Sequence, residues 1–279
     1  MGAPDPRQTW QGNIDFRLQR QLSHYKKEDP PPHRVKPLPI QVLRRIVSIA
    51  MAAPELAGNN AISDMIIMAF FFLLRPGEYT ANTSDTSPFR LCYTRLKTGD
   101  SNLDFAASTP SQLLSATFVT LEFTDQKNGV RGEIIGLSKT TDPTLCPVRA
   151  VARRVLHLRQ HNAPATTPLA KYFDNNRWHP VLPSHITSSI QQAVRFLGPA
   201  SLGFKASEVS ARSLRASGAM ALFNAKVDPL TIRLVGRWRS DEMLRYLHVQ
   251  AEPVMRGLSQ AMVSNASYRL HHDDVVPSY

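Results

Sequence analysis

The sequence is poor in cysteine, in long apolar runs and in acidic side chains. Only Cys92 and Cys146 occur in 279 residues. They lie far apart and fit neither a metal-ligand nor a Cys-x-x-Cys spacing, which excludes a disulfide framework and a thiolate metal centre as organising features. A reducing compartment is the simplest reading, and nothing supports a disulfide between the two. The longest apolar run, Met65–Leu74, is about half the ~20 residues a membrane span needs; it reads as a helix buried on all sides. Met1–Gln11 holds no apolar stretch of the signal-peptide kind. No Gly-rich phosphate loop and no Ser/His/Asp arrangement can be assembled.

Basic residues are abundant. There are 33 Lys+Arg against 22 Asp+Glu, a formal charge of +11 and a pI near 10.0. That balance favours an acidic partner, nucleic acid or an anionic membrane. With 42% apolar residues the chain can bury a sizeable core, and its length allows one large domain or two small ones.

Proline divides the chain. Residues 1 to about 28 are polar and basic, with weak helical character around Phe16–Tyr25. Asp29-Pro30-Pro31-Pro32, with Pro37 and Pro39, then forms a stiff extended linker. A boundary near residue 36 separates an N-terminal segment and linker (1–36) from a main domain (37–279). Ile40, Leu43, Ile46, Val47 and Met51 recur at helical spacing, and this helix should end before Pro54. Asn60 or Ser63 can cap the next helix, which carries the apolar run to Leu74 and stops near Arg75-Pro76-Gly77.

Three short strands follow from their β-branched and aromatic content: Phe89–Leu96, Ala116–Thr124 and Val130–Leu137. Asn128-Gly129 marks a hairpin between the last two, and 98–112 reads as a polar loop. Helices are then expected from Pro147 to about His161, Ser184 to about Leu197, Ser210 to Ala225, Pro229 to Val235, and Ser240 through Tyr246 to Val249. A Pro/Thr-rich loop joins the first two of these. The order of helices, a small sheet, then helices is that of a mainly helical α+β domain.

Breaking a DNA strand without metal requires a nucleophile for phosphorus, cations for the non-bridging oxygens and a proton donor for the leaving 5′-oxygen. Arginine suits the second task, since its rigid fork is always charged and donates two hydrogen bonds to a phosphate. Leu73-Leu74-Arg75-Pro76-Gly77-Glu78 ends the apolar helix with an arginine. Arg212-Ser213-Leu214-Arg215-Ala216-Ser217-Gly218-Ala219 sets two arginines three apart on one helix face. Val235-Gly236-Arg237-Trp238-Arg239-Ser240-Asp241 precedes Tyr246 by a short helix.

These segments resemble the catalytic boxes of the tyrosine recombinases, the family of phage integrases and of the Crypton and DIRS-type mobile elements. The family's first box, Leu-Arg-x-x-Glu, is matched by Leu74, Arg75 and Glu78. Its second, His-x-x-Arg with small residues after it, is matched at Arg215 and its sequel. A Gly-His or Gly-Trp pair then precedes the tyrosine, and Gly236 lies ten residues before Tyr246, as in that family. The wording Gly-Arg-Trp-x-Ser-Asp is closest to the eukaryotic mobile-element branch. The resemblance covers about residues 36–250. It implies a tyrosine-recombinase-like catalytic domain with a small three-stranded antiparallel sheet.

By that resemblance, Arg75 and Arg215 would clamp the scissile phosphate and Tyr246 would form a transient 3′-phosphotyrosine bond. Lys127, on the hairpin before Asn128-Gly129, would protonate the leaving oxygen, with Lys139 the second candidate. Glu78 would support the first box structurally. No cofactor and no metal would be needed. Double-stranded DNA is the expected partner, with self-association on it and no membrane. The compartment would be the nucleus in a eukaryote and the cytoplasm otherwise.

Three departures stand out. Arg212 occupies the usual His position, and a guanidinium cannot accept a proton near neutral pH. Arg237 follows Gly236 where the family has His or Trp, with Trp238 one further; either is expected to donate to the phosphate. Residues 1–35 give room for only the last helix and linker of the family's DNA-clamping domain. A DNA-binding protein without chemistry, and a protein-interaction module with a basic surface, are the competing readings. Arg149, Arg153 and Arg154 share one predicted helix and are candidates for backbone phosphate contacts. His157 and His161 lack a third ligand and read as surface residues, and His271-His272-Asp273-Asp274 as a polar tail.

Overall fold

The computed structural model describes residues 35–81, 88–124 and 132–238, with residues 16 and 18–20 of an N-terminal helix. The backbone divides into two compact units, Met1–Arg34 and Val35–Tyr279. In the first, the described residues are helical and Phe16 is largely exposed.

The second unit is built around one helix. α1 (Ile40–Ala52) buries Val42, Leu43, Ile46, Val47 and Ala50, the stripe its spacing predicts. α2 (Ala57–Phe71) has no continuous polar face: Met65 to Ala69 are completely buried, and its one carboxylate, Asp64, is buried beside them. It starts earlier than Asn60 or Ser63 would cap it, because the Asn60 side chain instead donates to the Pro54 carbonyl at 2.7 Å. α3 (Pro76–Tyr79) is a single turn with Pro76 at its start. A long central helix without a polar face must be covered on every side, and α2 packs against α1, the later helices and part of the second sheet.

The main sheet has order β2-β1-β3-β4 and is antiparallel throughout. It comprises β1 (Thr94–Thr98), β2 (Ser101–Asn102), β3 (Phe118–Phe123) and β4 (Glu133–Ser138). In β3, Val119, Leu121 and Phe123 alternate inward, with Val119 opposite Leu96 and Leu137. The expected three strands are thus joined by a two-residue fourth. The expected polar loop also holds α4 (Pro110–Ser115), which Thr109 caps by accepting from the Gln112 amide at 3.2 Å.

α5 (Pro147–Gln160) lies between α2 and the sheet. The Pro/Thr-rich segment after it contains a second hairpin, β5 (Lys171–Asp174) and β6 (Arg177–Pro180). Asn175 and Asn176 turn it with φ 48° and 58°, the two positive values that a two-residue type I′ hairpin loop demands. α6 (Pro183–Leu197), the short α7 (Pro199–Leu202), α8 (Ser213–Asn224) and α9 (Pro229–Gly236) complete the chain's described part. Asp228 caps α9, accepting from the Thr231 amide at 3.0 Å. The segment entering this unit is tied down: Lys36 N donates to Glu208 O at 3.0 Å and Leu38 N to Ser217 Oγ at 2.7 Å. Cys92 and Cys146 are both free thiols.

Candidate active site

The end of α2 decides the site. Leu73 adopts φ 51°, a left-handed turn that costs a leucine about 1–2 kcal/mol. Beyond the last helical residue the carbonyls of Phe72 and Leu73 lack donors within the helix. Arginines from far along the chain supply them, as the partial negative charge of a helix C-terminus favours. Arg215 donates Nη1 to Leu73 O and Nη2 to Gly236 O, both at 2.6 Å. Arg237 donates Nη1 to Phe72 O and to Val235 O, both at 3.1 Å.

Glu78 closes the ring. Its Oε2 accepts the Arg75 amide at 2.7 Å and Arg237 Nη2 at 2.9 Å, and its Oε1 accepts Arg75 Nη1 at 3.2 Å. Burial lowers the Arg237 pKa while attraction to Glu78 opposes the shift; the guanidinium remains charged at neutral pH. Its flat face lies 3.8 Å from the Phe123 ring centre at the end of β3, and the Arg215 guanidinium lies 4.2 Å from that of Trp238. Of the three arginines only Arg75 reaches solvent, its side chain 31% exposed; that of Arg237 is 0% exposed.

Small residues make this convergence possible. Ala216, Ser217, Gly218 and Ala219 are all buried, and α8 packs on α2. A Cβ on Gly218 would lie 2.1 Å from the Phe70 carbonyl oxygen, so α8 approaches α2 closely enough for Arg215 to reach its end. The buried Tyr79 hydroxyl donates to Ala211 O at 3.0 Å, fixing α3 against the start of α8; burial raises its pKa. At Gly236 a Cβ would meet the Trp238 ring at 1.6 Å. Arg237, with φ 56°, makes the turn that folds Trp238 back.

The predicted site residues thus separate. Arg75, Arg215 and Arg237 come together with Glu78, and Trp238, 6% exposed, covers Arg215. Arg212 is exposed at the start of α8, one turn from Arg215. Lys127 and Tyr246 lie outside the described residues, as does the helix expected from Ser240. Arg237 sits inside the protein rather than on the surface a phosphate would approach.

Helix α5 requires a correction. Arg149 is exposed, but Arg153 grips the buried Asp64 through Nε at 2.8 Å and Nη2 at 2.5 Å. Arg154 is fully buried and donates to the carbonyls of Leu169 and Lys171. Arg154 thus serves the core, while Arg153 spans from the buried Asp64 to the surface, its side chain 38% exposed. Burial raises the Asp64 pKa against the pull of Arg153, and pushes that of Arg154 down to about 10. His157 and His161 are half-buried rather than freely exposed: His157 Nε2 accepts the Phe173 amide at 2.8 Å, and His161 stacks on the Phe173 ring with centroids 4.5 Å apart. Sequence reasoning also missed Phe123, whose alternation in β3 gave its inward direction but not its cationic neighbour. Among the described residues no three His, Cys, Asp or Glu side chains gather as a metal would require, and no helix is long and apolar enough to cross a membrane.

No family model matches the chain, and no curated protein is similar to it in sequence. Solved structures are similar in fold. The XerH site-specific recombinase, bound to difH substrate in a pre-cleavage complex, aligns with a TM-score of 0.51 at 12% identity, over 90% of this chain and 66% of that one. The XerA recombinase aligns with a TM-score of 0.46 at 16% identity, over 87% and 67%. The Tn1549 transposon integrase in complex with transposon right end DNA aligns with a TM-score of 0.49 at 13% identity, over 93% and 75%. The chain therefore spans about two thirds of the length of the two Xer recombinases. Its helices and antiparallel sheets have the fold of a tyrosine recombinase catalytic domain.

Proposed function

We propose that this chain cuts and rejoins double-stranded DNA through Tyr246, and that its kinship is with the Crypton and DIRS-type mobile-element recombinases of eukaryotic nuclei. One observation carries the reading. The structure gathers Arg75 and Arg215 at the end of α2, with Gly236 bonded to Arg215, and Tyr246 follows ten residues after Gly236 in the same segment. Cations concentrated where one of them reaches solvent suit an oxyanion whose negative charge grows as phosphorus is attacked.

In the proposed reaction the Tyr246 oxygen attacks the scissile phosphorus, Arg75 holds its non-bridging oxygens, the buried Arg215 adds its positive charge from behind, and Lys127 gives its proton to the departing 5′-oxygen. The phosphotyrosine bond conserves the energy of the broken ester, so a second 5′-hydroxyl can reverse the step on another strand without ATP. Self-association on DNA would bring the two strands together. Arg149 and Arg212 would meet backbone phosphates alongside.

Purified protein is mixed with nicked suicide duplexes in the absence of added metal and examined for a denaturant-resistant protein–DNA adduct. Wild type should form it and Tyr246→Phe should not, while retaining DNA binding. An adduct that persists in Tyr246→Phe would refute the assignment of the nucleophile.

A second reading is favoured by Arg212, which is exposed at the start of α8 where the resemblance expects a histidine able to take the tyrosine's proton. On this reading the fold binds DNA without cutting it. The same experiment separates the two: binding that weakens steeply with salt, with no adduct from wild type, supports the second.

A further inference from the structure

We propose that Arg237 is a positioning residue that orients Arg75 through Glu78 and never touches DNA. The proposal rests on the reading of Arg75 as a phosphate ligand. At the place of Arg237 the resemblance expects a side chain aimed at phosphate, but here that side chain has no exposure at all. Both of its terminal nitrogens are spent inward. Nη1 holds Phe72 O and Val235 O at 3.1 Å; Nη2 holds Glu78 Oε2 at 2.9 Å and, near the limit of a hydrogen bond, Leu73 O at 3.4 Å. The ring of Phe123 covers one face of its guanidinium at 3.8 Å.

What Arg237 holds in turn holds Arg75. The oxygen of Glu78 bound by Arg237 also accepts the Arg75 backbone amide at 2.7 Å, and the other oxygen accepts Arg75 Nη1 at 3.2 Å. The carboxylate, 5% exposed, is held on one side by Arg75 itself and on the other by Arg237, and a buried charge that loses one of its partners is drawn toward water. Arg237 is thus the fixed end of a rigid link whose free end is Arg75. Arginine suits this place better than the usual imidazole, because its fork satisfies several backbone carbonyls and a carboxylate at once.

The test is the salt dependence of DNA binding by the full chain. Each phosphate contact contributes about 0.9 to the slope of log Kobs against log salt. Destabilisation alone does not change that slope, provided the protein is folded by circular dichroism. Arg75→Ala and Glu78→Gln should each lower the slope by about 0.9. Adding Arg237→Met to either should lower it no further. The Glu78→Gln/Arg237→Met pair removes both buried charges together, a change that often preserves folding, so the comparison survives if the single Arg237 variant does not fold. A further fall of about 0.9 on adding Arg237→Met would overturn the proposal by showing that Arg237 holds a phosphate of its own. So would an unchanged slope in Arg75→Ala. Adduct formation by wild type is scored on the same samples: its absence beside the expected slopes would remove strand transfer and leave the positioning role standing.

Discussion

Two arginine clusters flank the same central helix, and they behave differently. Midway along α2, Asp64 is met by Arg153, while the neighbouring Arg154 is spent on the carbonyls of Leu169 and Lys171. At the end of α2, Glu78 is met by Arg237 and Arg75, with Arg215 alongside on Leu73 O. Both surround one buried carboxylate. In the first, Arg153 bonds the carboxylate with a side chain 38% exposed, while the deepest cation, Arg154, anchors the second hairpin to α5. The second keeps Arg75 partly in solvent and has the exposed Arg212 beside it. Neither arginine content nor the access of one guanidinium separates the two, since the side chains of Arg153 and Arg75 are 38% and 31% exposed; the difference is convergence, one arginine bonding Asp64 but two bonding Glu78 with Arg215 alongside.

The contrast can be broken at its base. Gly218→Ala should cause the largest loss, about 3 kcal/mol or more, because the new Cβ would meet a backbone oxygen at 2.1 Å. Chemical denaturation measures it, and a loss below about 1 kcal/mol would mean that α8 does not press on α2 this closely. Arg154→Met should cost about 2–3 kcal/mol, since it strips two carbonyls of their donor, while the salt slope of DNA binding stays that of wild type. A reduced slope would make the mid-helix cluster part of the DNA surface. Arg75→Ala should do the reverse, shifting stability by about 0.5 kcal/mol but lowering the salt slope by about 0.9.

The smallest effect concerns His157. Burial, with the charge of Arg154 nearby, lowers its pKa from 6.5 to about 4. The unfolded imidazole takes up a proton below pH 6.5 and the folded one only near pH 4. Its contribution to stability is therefore complete above 6.5 and lost as pH falls through that window. Between pH 6.5 and 4 the melting temperature of wild type should fall more steeply than that of His157→Gln. Asp64, whose pKa is raised, acts in the opposite direction but equally in both proteins. Parallel curves would show that His157 does not titrate differently on folding.

Long periodic segments were legible in the sequence. The apolar spacing of Ile40–Ala52, the run from Met65 and the Asp-Pro start at 228 gave helices where the structure has them. The second hairpin was not legible, although Asn175-Asn176 carried its turn signal, because Pro and Thr dominate the preceding loop. Thr109 and Gln112 form a capping box that a polar composition concealed. At the site, the residue types and their order were readable and their depth was not. Burial of Arg237 depends on the left-handed turn at Leu73, the close approach at Gly218 and the ring of Phe123. None of these is local to the arginine. Likewise Arg149 and Arg154 look alike in a helical sequence, and only the neighbours of α5 make one exposed and the other buried.

The bond from Leu38 N to Ser217 Oγ has a mechanical consequence. Ser217 lies two positions beyond Arg215 and itself donates to Ser213 O at 2.7 Å within α8. The segment entering at Val35 is thus anchored before α1 begins, by Lys36 to Glu208 and by Leu38 to α8 near Arg215, so a displacement of this segment is shared between α1 and the arginine-bearing helix.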